Sequence, residues 1–147
     1  MPNNRILIAE DEKAIAKALS LKLEHVGYET TVTHNGKEAL EKMKENQYDL
    51  FLMDLIMPIM DGFATLEALK AAGNKIPVVV LSNLSQGDDL NKAKELGARD
   101  YFIKSDTPIA HVVEYVKRNI GAWVLRSSLI FYKNGKQKQK KYWKRTN

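Results

Sequence analysis

The 147-residue chain contains no cysteine, which excludes a disulfide framework, a thiolate metal site and a cysteine nucleophile. No stretch approaches the roughly 18 consecutive apolar residues of a membrane span. The apolar run near the start, Ile6–Ala9, is too short for a secretory signal and leads straight into acids, so a cytoplasmic location is expected. Neither GxxxxGK[ST] nor GxGxxG occurs, so there is no glycine loop to cradle a nucleotide's phosphates. Residues 123–147 hold eight Lys/Arg and no Asp/Glu. The other 122 residues carry 15 basic against 18 acidic groups, so a formal charge of +5 for the whole chain hides a mildly acidic body. The basic balance is a property of the tail and does not argue for nucleic-acid binding by the body.

What the sequence does contain is alternation. Residues 5–9 form an apolar run suited to a strand buried on both faces. Ile15, Leu19, Leu23 and Val26 follow at helical spacing, and Gly27 stops that helix. Tyr28–Thr33 is rich in β-branched residues and reads as a strand. Asn35 with Glu38 three residues later marks a helix start. Leu50–Met53 is a third strand, and Pro58 with Asp61-Gly62 makes a loop. Phe63, Leu66 and Leu69 stripe a third helix closed by Gly73. Pro77–Leu81 is a fourth strand, residues 88–96 a weaker helix, and Tyr101–Ile103 a fifth strand. Thr107-Pro108 opens a last helix through Ile109, Val112, Val113, Val116 and Ile120. Five apolar strands separated by helices predict an α/β protein with a parallel sheet covered on both faces.

Ligands of open parallel sheets bind beyond the carboxyl ends of the strands. The residues that follow each strand are Glu10-Asp11, Asp54, Ser82 and Lys104. Three carboxylates, a hydroxyl and an ammonium therefore converge on one edge. Clustered carboxylates repel one another, and a divalent cation relieves that cost. An oxygen-only ligand set suits Mg2+. A metal beside a fixed lysine makes a site for a phosphoryl group.

At these residues the chain resembles the receiver domain of two-component response regulators. The matching segments are Ile-Leu-Ile-Ala-Glu10-Asp11-Glu12, Tyr-Asp-Leu-Phe-Leu-Met-Asp54-Leu-Ile-Met-Pro58-Ile-Met-Asp61-Gly62, Ile-Pro77-Val-Val-Val-Leu-Ser82 and Gly97-Ala98-Arg99-Asp100-Tyr101-Phe-Ile-Lys104, within residues 5–121. The resemblance implies a five-stranded parallel sheet of order 2-1-3-4-5. It implies that Asp54 accepts a phosphoryl group from a phosphohistidine on a sensor histidine kinase or phosphotransfer protein. Glu10, Asp11, Asp54 and the backbone carbonyl of Ile56 would hold Mg2+, Lys104 would contact the phosphoryl oxygens, and Ser82 would hydrogen-bond the attached group. Tyr101 would swing inward as Ser82 moves. A phosphorelay switch of this kind is not a metabolic enzyme; it signals to a downstream protein target, with a phosphorylation-dependent dimer as one form of output. Rival readings are a Mg2+-dependent phosphohydrolase, a receiver-like binding module without phosphotransfer, and a nucleic-acid binder acting through the tail.

Three departures from the family pattern matter. Ser105 follows Lys104 where the family most often has a cis proline, which leaves the cis or trans state of the Lys104–Ser105 bond open. Ser82 stands for the commoner threonine and keeps its hydroxyl. Ile56 and Leu84 occupy the two positions that control access of hydrolytic water, and neither can orient water, so slow self-dephosphorylation is expected. The receiver is read as residues 1–122. Residues 123–147 are read as a flexible basic tail too short for a DNA-binding domain, with a hairpin signal at Leu129–Tyr132, Asn134-Gly135 and Lys136–Trp143. His25, His34 and His111 are read as surface or helix-packing residues, and Met53, Met57 and Met60 as packing.

Overall fold

The computed structural model describes residues 4–133, and the side chains of residues 4–123. Strands β1 (Arg5–Ala9), β2 (Glu29–Thr33), β3 (Leu50–Met53), β4 (Val78–Ser82) and β5 (Asp100–Ile103) alternate with helices α1 (Lys13–His25), α2 (Gly36–Glu45), α3 (Gly62–Ala71), α4 (Gly87–Glu95) and α5 (Ile109–Lys133). The sheet has the order β2-β1-β3-β4-β5, and every pairing is parallel. Among the described residues, no helix is long and apolar enough to cross a membrane.

Period-two alternation divides the apolar strands between two cores. Ile6, Ile8, Leu50, Leu52, Val79 and Leu81 face one side, where Leu19 and Leu23 of α1 and Val112, Val116 and Ile120 of α5 cover them. Leu7, Ala9, Phe51, Met53, Val78 and Val80 face the other, under Ala39, Leu66, Leu69 and Ala93 of the three remaining helices. This is why the central strands read as unbroken apolar runs. The edge strands β2 and β5 are mostly half-buried. Their polar residues leave the open edges poor templates for further pairing.

Local signals account for most boundaries. Asn35 Oδ1 accepts from the Glu38 N–H at 2.9 Å, and the Glu38 carboxylate accepts from the His34 N–H at 2.9 Å, so α2 begins with a reciprocal cap. Gly27 and Gly97, with φ of 103° and 105°, take the left-handed conformation that ends α1 and α4.

The end of α5 differs from expectation. The helix passes through the expected boundary at residue 122 and continues to Lys133, so Leu129–Tyr132 is helical and not the first strand of a hairpin. Asn134–Trp143, the remainder of that hairpin signal, lies outside the described residues. Trp123 belongs to the body: it is 3% exposed, in the core beside Ile120, with Tyr115 at 5.8 Å between ring centroids and the Arg99 guanidinium over its ring at 5.5 Å. Helical periodicity from Val112 through Val116 and Ile120 carries the buried face on to it, one residue past the boundary drawn from the change of charge. Trp123→Ala is expected to lower stability by about 3–5 kcal/mol, read from urea denaturation. A change near zero would mean that residue 123 lies outside the cooperative core.

Candidate functional site

Each strand delivers its last residue, or the one after it, to the same edge. β1 runs into Glu10, which is buried, and Asp11, which is exposed. β3 runs into Asp54, 5% exposed, whose N–H donates to the Ala9 carbonyl at 3.0 Å and so continues the sheet past its last rung. β4 ends at Ser82, fully buried, in register with Ile103, the residue before Lys104. Glu10, Asp11 and Asp54 each offer a carboxylate oxygen, and these oxygens lie within 4.8 Å of one another.

Lys104 ties the acids together. Its Nζ is 2.7 Å from Asp54 Oδ2, 2.5 Å from Glu10 Oε1 and 3.4 Å from Glu12 Oε1. The other Asp54 oxygen, Oδ1, accepts from the Ile56 N–H at 3.2 Å. The Lys104, Glu10 and Asp54 side chains are 8%, 4% and 6% exposed, so two carboxylates share one ammonium away from water. One negative charge is left over. Burial pushes the Glu10 carboxyl up to about 7, with the Asp54 charge adding to the rise and Lys104 opposing it. Burial pulls the Lys104 ammonium down, but its bonds to Asp54 and Glu10 outweigh that and hold it above the ordinary lysine range.

The hydroxyl arm stands beside this cluster. Ser82 Oγ accepts from the Leu84 N–H at 3.4 Å, and the Tyr101 hydroxyl donates to the Leu84 carbonyl at 2.5 Å. Tyr101 is thus already tethered to the loop after β4; burial pushes its phenol up, opposed by Ser82 and reinforced by Asp89 and Asp54. Ile56 is 56% exposed on the rim and Leu84 is half-buried. Among the described residues no peptide bond is cis, so the Lys104–Ser105 bond is trans.

Three contributors were given no part in the site from sequence. His34, read as a surface or packing residue, places Nδ1 2.9 Å from the Glu10 carbonyl and braces the acidic strand end; His25 and His111 are exposed. Asn83 Oδ1 accepts from the Ser105 N–H at 2.9 Å, linking the loops that follow Ser82 and Lys104. Gly62 lets α3 start against the backbone that carries Asp54: a Cβ there would lie 2.6 Å from the Asp54 carbonyl oxygen and 2.7 Å from Leu55 Cα. Asp61, immediately before it, caps α3 through Oδ1, which accepts from the Ala64 N–H at 2.8 Å. The Asp-Gly pair in the sequence pointed to a turn; only the packing shows why the second residue must lack a side chain.

The model of the response regulator receiver domain matches residues 6–115. The chain belongs to that family, the receiver domains of two-component systems. It is 38% identical over 104 residues to the transcriptional regulatory protein YkoG of Bacillus subtilis, covering 71% of this chain and 46% of that protein. Identity to the transcriptional regulatory protein PcoR of Escherichia coli is 38% over 100 residues, covering 68% and 44%. The chain thus spans under half the length of these two relatives. The receiver domain of the Francisella response regulator 1452 superposes with a TM-score of 0.75 at 31% identity, covering 85% of this chain and 99% of that one. A CheY-like receiver from Methanospirillum hungatei shares the fold, with a TM-score of 0.78 at 23% identity, covering 85% and 99%.

Two outcomes test this geometry. Gly62→Ala is expected to destabilise the protein by about 1–3 kcal/mol, read by urea denaturation, because the added methyl group meets backbone that cannot give way. Glu10 titrates higher folded than unfolded, so the metal-free fold holds its proton more tightly. The corresponding stability is fully present below about pH 4.5 and is lost as pH rises through about 7. Glu10→Gln removes that dependence. The stability of the variant relative to the native protein should therefore increase by about 2 kcal/mol between pH 5 and pH 8. A pH-independent difference would refute the assignment.

Proposed function

We propose that this chain is a phosphorylation-controlled switch in which Asp54 takes a phosphoryl group from a phosphohistidine on a sensor histidine kinase or phosphotransfer protein. The observation that carries the reading is the Lys104 ammonium held between Asp54 and Glu10, with Asp11 beside them, on a buried sheet edge. An Asp54 carboxylate oxygen attacks phosphorus, the phosphorus–nitrogen bond to the donor imidazole breaks, and the imidazole keeps the electron pair. A carboxylate is a competent nucleophile here only if the charge gathering on the phosphoryl oxygens is neutralised. Lys104 is a direct source of that positive charge, one hydrogen bond from the nucleophile.

The oxygen-only set of Glu10, Asp11 and Asp54, with the Ile56 backbone carbonyl, fits Mg2+, which when bound would supply further positive charge to the phosphoryl oxygens. Ser82 would then exchange its bond with the Leu84 N–H for one to the attached phosphoryl group. Moving that hydroxyl perturbs Leu84, which also anchors Tyr101. A change at the site therefore reaches the surface of α4, β5 and α5, where a downstream protein, or a second phosphorylated copy, would sense it. On this reading the chain is a cytoplasmic signalling domain and not a metabolic enzyme; its own turnover is limited to slow self-dephosphorylation.

Incubation with acetyl phosphate and Mg2+ should add the mass of one phosphoryl group to the native chain and none to Asp54→Asn, read by intact mass spectrometry. No gain on the native chain would overturn the reading. Because neither Ile56 nor Leu84 can orient water by hydrogen bonding, the phosphorylated form should persist well beyond seconds. Ile56→Asn should shorten its lifetime several-fold, followed by loss of the added mass with time.

A further inference from the structure

The β4–β5 ladder ends at the pair Ser82 and Ile103. The two arms of the site stand at and just past that last rung, the Ser82 hydroxyl on it and the Lys104 ammonium one residue beyond. One hydrogen bond continues the connection beyond the ladder, from the Ser105 N–H to Asn83 Oδ1 at 2.9 Å. Ser105 lies in the 3-10 turn Lys104–Asp106. The opening N–H groups of such a turn have no partner within it, so an acceptor must come from outside. Asn83 supplies it, and each end of the bond is one residue beyond a site side chain. The other bonds of this region hold the loop after β4 to itself or to β5: the Leu84 N–H to Ser82 Oγ, and the Tyr101 hydroxyl to the Leu84 carbonyl. The Asn83 bond reaches the lysine turn.

We propose that Asn83 is a positioning residue: its carboxamide latches the loop that carries Ser82 to the turn that carries Lys104, and so fixes the span between hydroxyl and ammonium across Asp54. The inference rests on the phosphoacceptor reading above. Both ends of the latch are exposed, so water can replace it and the fold does not depend on it. Its consequence is geometric. Lys104 is gripped at its tip by Glu10 and Asp54 and at its backbone by the ladder on one side and the Asn83 bond on the other. Release of the latter lets the turn shift relative to Ser82, and two groups that must reach one phosphoryl group lose their alignment.

The test compares the native chain with Asn83→Ala, Ser105→Pro (which deletes the donor) and the double variant. Amide hydrogen exchange at Ser105, read by NMR, should accelerate about tenfold in Asn83→Ala as its acceptor is lost. With acetyl phosphate and Mg2+, the saturating rate of phosphorylation should fall about three- to tenfold while the half-saturating concentration changes less than twofold. In the Ser105→Pro background the Asn83→Ala change should cost nothing further. Unchanged Ser105 exchange in Asn83→Ala would overturn the latch. So would faster exchange with an unaltered saturating rate, or an equal loss in both backgrounds. If the native chain itself gains no phosphoryl mass, the phosphoacceptor reading falls and takes the positioning role with it. A normal native rate with an unaffected Asn83→Ala rate sinks the latch alone.

Discussion

An ammonium shared by two buried carboxylates governs this protein. Lys104 bonds Asp54 and Glu10 at the same time, and none of the three side chains is more than 8% exposed. Removing such charges from water is costly unless each has a partner, and here the count is uneven, two acids to one base. Burial raises Glu10, and the neighbouring Asp54 charge adds to the rise. For the phosphoacceptor role proposed above, the lysine is the useful member of the trio, because its positive charge already stands one hydrogen bond from Asp54. Structure and chemistry therefore make the same demand: the three groups must be held together against their preference for water.

The sheet meets that demand. Parallel strands end on one side, and the ladder registers Ala9 with Met53, Met53 with Val80, and Ser82 with Ile103. Parallel pairing in this register brings the carboxyl ends of β1, β3, β4 and β5 to one side of the sheet, and the residues just beyond them follow. Apolar packing on both faces keeps the register, because a slip by one residue would turn Ile6 and Ile8 out of one core and Leu7 and Ala9 out of the other. The stability of the cores is thereby converted into the position of the acids. The Asp54 N–H bond to the Ala9 carbonyl and the close seat of Gly62 on the Asp54–Leu55 backbone extend that control by one residue into the loops.

The parts of the site least visible in sequence all act through the backbone. His34 and Asn83 each contact a main-chain atom of a residue at or beside the site, and a main-chain atom is present whatever residue stands there. No pairing of residue types marks such a contact. The departure at Ser105 offered one signal: a serine where proline is usual introduces an N–H that needs an acceptor. Identifying that acceptor as Asn83 requires knowing that β4 and β5 are neighbours. Trp123 was obscured for a different reason. The abrupt onset of positive charge drew the boundary in front of it, whereas the helical period that buries Ile120 reaches it one turn later.

Sequence alone determined the alternation of strand and helix, the parallel sheet, the family, and the identity of Glu10, Asp11, Asp54, Ser82 and Lys104 as residues that follow apolar strands. These are local properties, periodicity and the residue at which a buried strand meets water, and a chain carries them in its order. Tertiary structure decided which carboxylates the lysine grips, that Tyr101 is anchored on Leu84, that α5 runs past the onset of the basic segment, and that the Lys104–Ser105 bond is trans with its N–H held by Asn83. Those outcomes depend on distances between segments far apart along the chain, set by packing and register and written in no single stretch of residues.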